Sequence, residues 1–144
     1  MAMHEFVTVS MIRATREAVW RVLTDSARYA EWNPELVTID GRLEAGARFK
    51  ARVKVGGGAI RSVTLRITAF DPPSRMEWTG GLPLGLFTGR RILSLTPADD
   101  GVEFRMVVRM SGPLAGLMVK AVGDRQVEID AFSAALKRRV ERQS

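Results

Sequence analysis

Residues 102–140 read VEFRMVVRMSGPLAGLMVKAVGDRQVEIDAFSAALKRRV, and the change of rhythm inside this stretch decides the fold. Up to Met110 the period is two. Val102, Phe104, Met106, Val108 and Met110 alternate with Glu103, Arg105, Val107 and Arg109, the pattern of a strand with one apolar face. Beyond Gly112-Pro113 the apolar residues step by three or four. Met118, Val122, Arg125, Ile129, Phe132, Leu136 and Val140 fall on one stripe, as a helix lying on a sheet requires. Gly123 interrupts it; a glycine in mid-helix costs ~1 kcal/mol against alanine, so a kink or close packing is expected there.

The period of two extends back through the chain. Phe87 to Thr96 reads as a strand, turned into the 102–110 strand by Asp99-Asp100-Gly101. Arg75 to Thr79 is another, running into an apolar loop, Gly80 to Gly85. Asp71-Pro72-Pro73-Ser74 is a turn by composition. Val63, Leu65, Ile67 and Ala69 alternate with polar partners, and so do Phe49, Ala51, Val53 and Val55 with Arg48, Lys50, Arg52 and Lys54. Gly56-Gly57-Gly58 between those two strands suits a hairpin. Leu36 to Leu43 and His4 to Ile12 complete the strands. Thr15 is an N-cap with Glu17 in the first turn of a helix ending near Asp25, and a second short helix, Ser26 to about Trp32, is stopped by Asn33-Pro34. No helix separates the later strands, so the class is α+β, with an antiparallel sheet of about six to seven strands.

The 144 residues make one expected domain, 1–144, and 46% hydrophobic with 26% charged residues exclude a disordered or fibrous chain. No apolar run approaches the ~18 residues of a membrane-spanning helix. The start, Met1-Ala2-Met3-His4-Glu5, lacks a basic and an apolar region, so no signal peptide is expected and the cytoplasm is the expected location. The absence of cysteine excludes disulfides, thiolate metal sites and cysteine nucleophiles. There are 22 basic and 16 acidic residues, and the span Arg48–Arg109 holds the whole excess of +6. Such a face attracts anionic surfaces; the strand pattern places Arg48, Lys50, Arg52 and Lys54 together on a solvated one.

The order of elements resembles the START-like, or Bet v 1-like, superfamily with its helix-grip fold, which includes polyketide cyclases and lipid-transfer proteins. The carriers of the resemblance are Ala14-Thr15-Arg16-Glu17-Ala18-Val19-Trp20, Leu23-Thr24-Asp25 with Tyr29, Trp32-Asn33-Pro34, Gly89-Arg90-Arg91 and Met110-Ser111-Gly112-Pro113-Leu114. The resemblance implies a curved sheet wrapped around the C-terminal helix with an apolar cavity between them.

Metal and nucleophile chemistry find little support. The single histidine, His4, has no motif around it and reads as a surface residue; Asp99, Asp100 and Glu103 sit in a hairpin turn. No cofactor and no metal are expected. The glycine run lacks the lysine of a phosphate-binding loop. Two arginines stand out, because Arg91 shares a strand parity with Phe87, Leu93 and Leu95, and Arg125 lies in the apolar stripe of the last helix. A buried arginine needs a partner or a ligand anion. Trp32, Trp78, Phe104, Met106, Met110 and Met118 are the expected apolar lining, and Tyr29 is a polar group able to orient one end of a ligand. The expected function is binding, or transport, of a small hydrophobic molecule such as a lipid, polyketide or isoprenoid. The alternatives are an aromatase/cyclase-like enzyme using Tyr29 or the arginines, and a protein docking through its basic strands on an anionic membrane or on nucleic acid, the latter being the disfavoured partner.

Overall fold

The computed structural model describes residues 3–54, 58–122 and 125–143. Strand β1 (His4–Ile12) leads into helix α1 (Arg16–Thr24) and a 3₁₀ helix (Ser26–Glu31). Strands β2 (Leu36–Asp40), β3 (Arg48–Lys54), β4 (Ile60–Asp71), β5 (Arg75–Leu82), β6 (Phe87–Ala98) and β7 (Gly101–Ser111) follow, then α2 (Ala115–Val122) and α3 (Arg125–Gln143). All seven strands form one curled antiparallel sheet in the order β1-β7-β6-β5-β4-β3-β2. This is the α+β helix-grip architecture implied by the sequence.

Its local causes are the expected ones. The Thr15 hydroxyl accepts from the Ala18 N–H, capping α1, and Glu17 lies in the first turn. Phe49 and Ala51 on β3 are buried while Arg48, Lys50, Arg52 and Lys54 are exposed, so that strand keeps the register its alternation demands. On α3 the residues Ile129, Phe132, Leu136 and Val140 are buried against the sheet, where Phe132 lies parallel to Phe104 with centroids 6.1 Å apart. Ile12, Val102, Phe104 and Met106 supply the floor of this core.

The structure corrects several boundaries. Gly80, Gly81 and Leu82 belong to β5 and pair with Gly89, Thr88 and Phe87; only Pro83–Gly85 leaves the sheet, as a 3₁₀ turn. The apposed glycines let the strands meet under the Leu65 side chain, whose Cδ2 would lie 2.6 Å from a Cβ on Gly80. Strand β2 ends at Asp40 because Gly41 turns away with φ +124°, where a side chain would strike Phe49. The terminal stripe is helical over α2 and α3, and the expected break at Gly123 lies outside the described residues, as do Gly56 and Gly57 of the glycine hairpin. His4 is half-buried on the surface of β1. No described helix is long and apolar enough to cross a membrane.

Candidate functional site

Between the concave face of β2–β7 and the start of the helical segment lies a cavity of about 460 Å³. Trp78, Arg91 and Val108 face it from directly paired positions on β5, β6 and β7. Leu36, Val53 and Leu65 extend this wall, while Met118 of α2 and Arg125 at the first turn of α3 close the other side. Arg61, Val63 and Leu82 form its exposed rim. The turn after Leu82 is fastened to the helical segment, since the Leu114 N–H donates to the Leu86 carbonyl at 3.0 Å. Gly112, with φ +102°, has backbone oxygens within 3 Å of where a Cβ would stand, so only glycine permits this approach.

Glu35, fully buried, organises the inner wall. Its placement begins with Asn33-Pro34: the Asn33 Oδ1 accepts from the N–H groups of Glu35 and Leu36 at 2.9 and 2.8 Å. The Lys54 N–H donates to the Glu35 carbonyl at 2.8 Å, fixing the backbone from the other side. Arg91 then grips the carboxylate with both terminal nitrogens, Nη1 to Oε1 and Nη2 to Oε2, each at 2.8 Å. Arg125 Nη2 pairs with the same Oε2. The Arg91 guanidinium is flanked by the Trp78 and Phe132 rings, 5.8 and 5.6 Å from their centroids.

One carboxylate thus serves two guanidinium groups, leaving a positive charge in a largely apolar surround. Burial pushes the Arg91 group down to about 10 and lowers that of Arg125 as well, because a charged group in low dielectric loses hydration. Both stay cationic at neutral pH. Two buried donors of lining residues, Arg125 Nε and Trp78 Nε1, have no acceptor among the described residues.

Of the residues singled out in the sequence, Trp78, Arg91, Met110, Met118 and Arg125 come together around this cavity. Phe104 and Met106 do not line it. They lie wholly buried under α3, where Phe132 fills the space above Phe104, and Met106 meets the cluster only through its sulfur, 3.5 Å from Arg91 Nη1. Trp32 packs against Tyr29 and Phe132 and borders a separate hollow of about 350 Å³ with Arg138, Arg139 and Arg142. Tyr29 is sealed in the core: its hydroxyl donates to the Leu23 carbonyl, and burial pushes the phenol well above its usual range. Glu35 is the functional candidate the sequence reading missed; its signal was the unmatched need of two arginines on apolar faces. Among the described residues no cluster of three metal-ligating side chains occurs.

Residues 3–141 match the family model described as polyketide cyclase / dehydrase and lipid transport. No curated protein matches the chain by sequence. Among solved structures, protein MLL2253 from Mesorhizobium loti is 22% identical with a TM-score of 0.74, covering 98% of this chain and 99% of that one. A START superfamily protein from Mycobacterium smegmatis is 16% identical with a TM-score of 0.71, covering 98% and 99%. The di-domain ARO/CYC BexL of the BE-7585A biosynthetic pathway is 16% identical with a TM-score of 0.71, covering 96% of this chain and 50% of that one. At such identities these likenesses speak for the fold alone.

Proposed function

The chain belongs to the polyketide cyclase/dehydrase and lipid transport family, and from that premise we propose that it binds a small hydrophobic molecule in the cavity between sheet and helices. The observation that carries this reading is the cavity itself: about 460 Å³, walled by Leu36, Val53, Leu65, Trp78, Met110 and Met118, with its charge among the described residues confined to arginines. That volume suits a ligand of one chain or a few rings. Burying about 300 Å² of apolar ligand surface supplies roughly 7 kcal/mol before the costs of immobilisation, so micromolar affinity is the upper limit from apolar burial alone. Carriage of such a ligand, as of a lipid, polyketide or isoprenoid, follows from reversible binding of that strength.

Binding ranks ahead of cyclase chemistry on one point. Among the described residues the titratable groups lining the cavity are arginines, which hold their protons at neutral pH and shuttle none. Native mass spectrometry of the purified protein, with extraction and identification of any retained molecule, tests the proposal. A retained apolar molecule, or micromolar uptake of a naphthalene dye displaced by one, is expected. Failure to take up any apolar probe overturns it.

A further inference from the structure

Resting on the reading of the cavity as a ligand site, we propose that its ligand is an amphiphile bearing a single carboxylate, seated with that group toward Arg91 and Arg125 and its apolar body toward Met110, Met118 and Val63. The described residues lining the cavity include Arg61, Arg91 and Arg125 and no acidic residue, while Arg90, also on the wall, turns its side chain to Glu77. Glu35 stands behind the wall and is shared between Arg91 and Arg125, so the triad carries one uncompensated positive charge. Glu128, half-buried a turn along α3, acts on Arg125 through space but does not line the cavity. A cation this poorly hydrated attracts a counter-ion strongly. The remaining donor capacity is of the right kind, since Arg91 Nη2 carries a second hydrogen beyond the one given to Glu35, and behind it the buried Arg125 Nε and Trp78 Nε1 lack acceptors among the described residues. A carboxylate cancels the surplus, whereas a phosphate monoester, at about −1.5 to −2, overshoots it. Val63 and Leu82 stand at the exposed rim, away from the buried guanidinium pair, which sets the polarity of the seated molecule.

The test is paired titration of the full chain with decanoate and 1-decanol, which differ chiefly in head-group charge, by displacement of a naphthalene dye at pH 8. Decanoate is expected to bind about ten-fold or more tightly than decanol, the weight of one charge-assisted contact. In Arg125→Met the ratio falls to about two-fold or less, because the remaining Arg91–Glu35 pair is neutral. In Glu35→Gln it rises above the wild-type ratio, because two guanidinium charges then face the ligand. Decanol binding with no preference for decanoate overturns the carboxylate proposal and leaves the hydrophobic-ligand reading standing; binding of neither overturns both. A measurement on the unmodified protein covers variants that fail to fold. The carboxyl of bound [1-¹³C]decanoate should titrate below its free value, and titration at or above that value contradicts the proposal.

Discussion

Replacing Glu35 by alanine removes the counter-charge of two buried guanidinium groups. Glu35 is 0% exposed and Arg125 4%, so water is poorly placed to hydrate the charges left behind. Breaking a buried ion pair by deleting one partner costs about 3–5 kcal/mol, and the two-pronged Arg91 contact argues for the upper half of that range. With an unfolding entropy of about 2.1 cal/mol/K per residue over 144 residues, 4 kcal/mol lowers the Tm by roughly 13 °C. Arg125→Met is the control that gives the number meaning. It leaves Arg91 and Glu35 as a neutral, doubly hydrogen-bonded pair and puts an unbranched apolar side chain beside Met118, so its cost is about 1 kcal/mol or less. Thermal and urea unfolding followed by circular dichroism read both variants. A Glu35→Ala protein within 1 kcal/mol of wild type, or an Arg125→Met protein as damaged as Glu35→Ala, refutes the assignment of a surplus charge to this triad.

Phe104→Ala should cost about 3–5 kcal/mol, because the ring is fully buried against Phe132, and should leave dye affinity nearly unchanged once folded protein is compared; Met110→Ala should show the reverse, about 2 kcal/mol or less in urea unfolding but a clear change in dye affinity. Stability also carries an acid signature. The hydrogen bond from Arg139 holds the Glu31 carboxyl below the usual range, and that from Lys137 does the same for Glu141. A depressed carboxyl stabilises the fold above its unfolded pKa, near 4.3, and the contribution disappears as pH falls through the lower folded value. The double variant Glu31→Gln/Glu141→Gln should therefore flatten the stability profile below about pH 4.5, and a profile parallel to wild type there contradicts the assignment.

The regular elements were legible in the sequence where pattern and packing agree. The alternation of Arg48–Lys54 placed four cations on solvent and Phe49 in the core, and Thr15 marked the start of α1 to the residue. The terminal stripe named the buried face of α3, including Arg125. Half of the candidate site was legible in the same way, since strand parity turned Trp78, Arg91 and Met110 inward. What periodicity could not supply was depth along a strand. Phe104 and Met106 share the parity of Met110 but are fully buried, Phe104 under the Phe132 ring, while Met110 lies farther along in the open part of the sheet. Glu35 was hidden for another reason: it stands outside any regular element, and what buries it is a side-chain turn from Asn33 joined to a backbone bond from Lys54, a contact between distant segments. The loop read at Gly80–Gly85 is half strand because glycine's meaning there depends on Gly89 across the ladder.

The central claim is that ligand enters the cavity beside Trp78 and not elsewhere, and the three tryptophans report on it independently. Trp78 lines the cavity, Trp20 packs against Phe70 near α1, and Trp32 borders the separate hollow beside Arg139. Their three indole N–H signals in a ¹H–¹⁵N correlation spectrum, assigned by single Trp→Phe variants, should respond unequally to decanoate. The Trp78 signal should shift saturably, with Trp20 and Trp32 essentially still. A Trp78 signal that stays fixed while decanoate binds, or a response centred on Trp32, contradicts it.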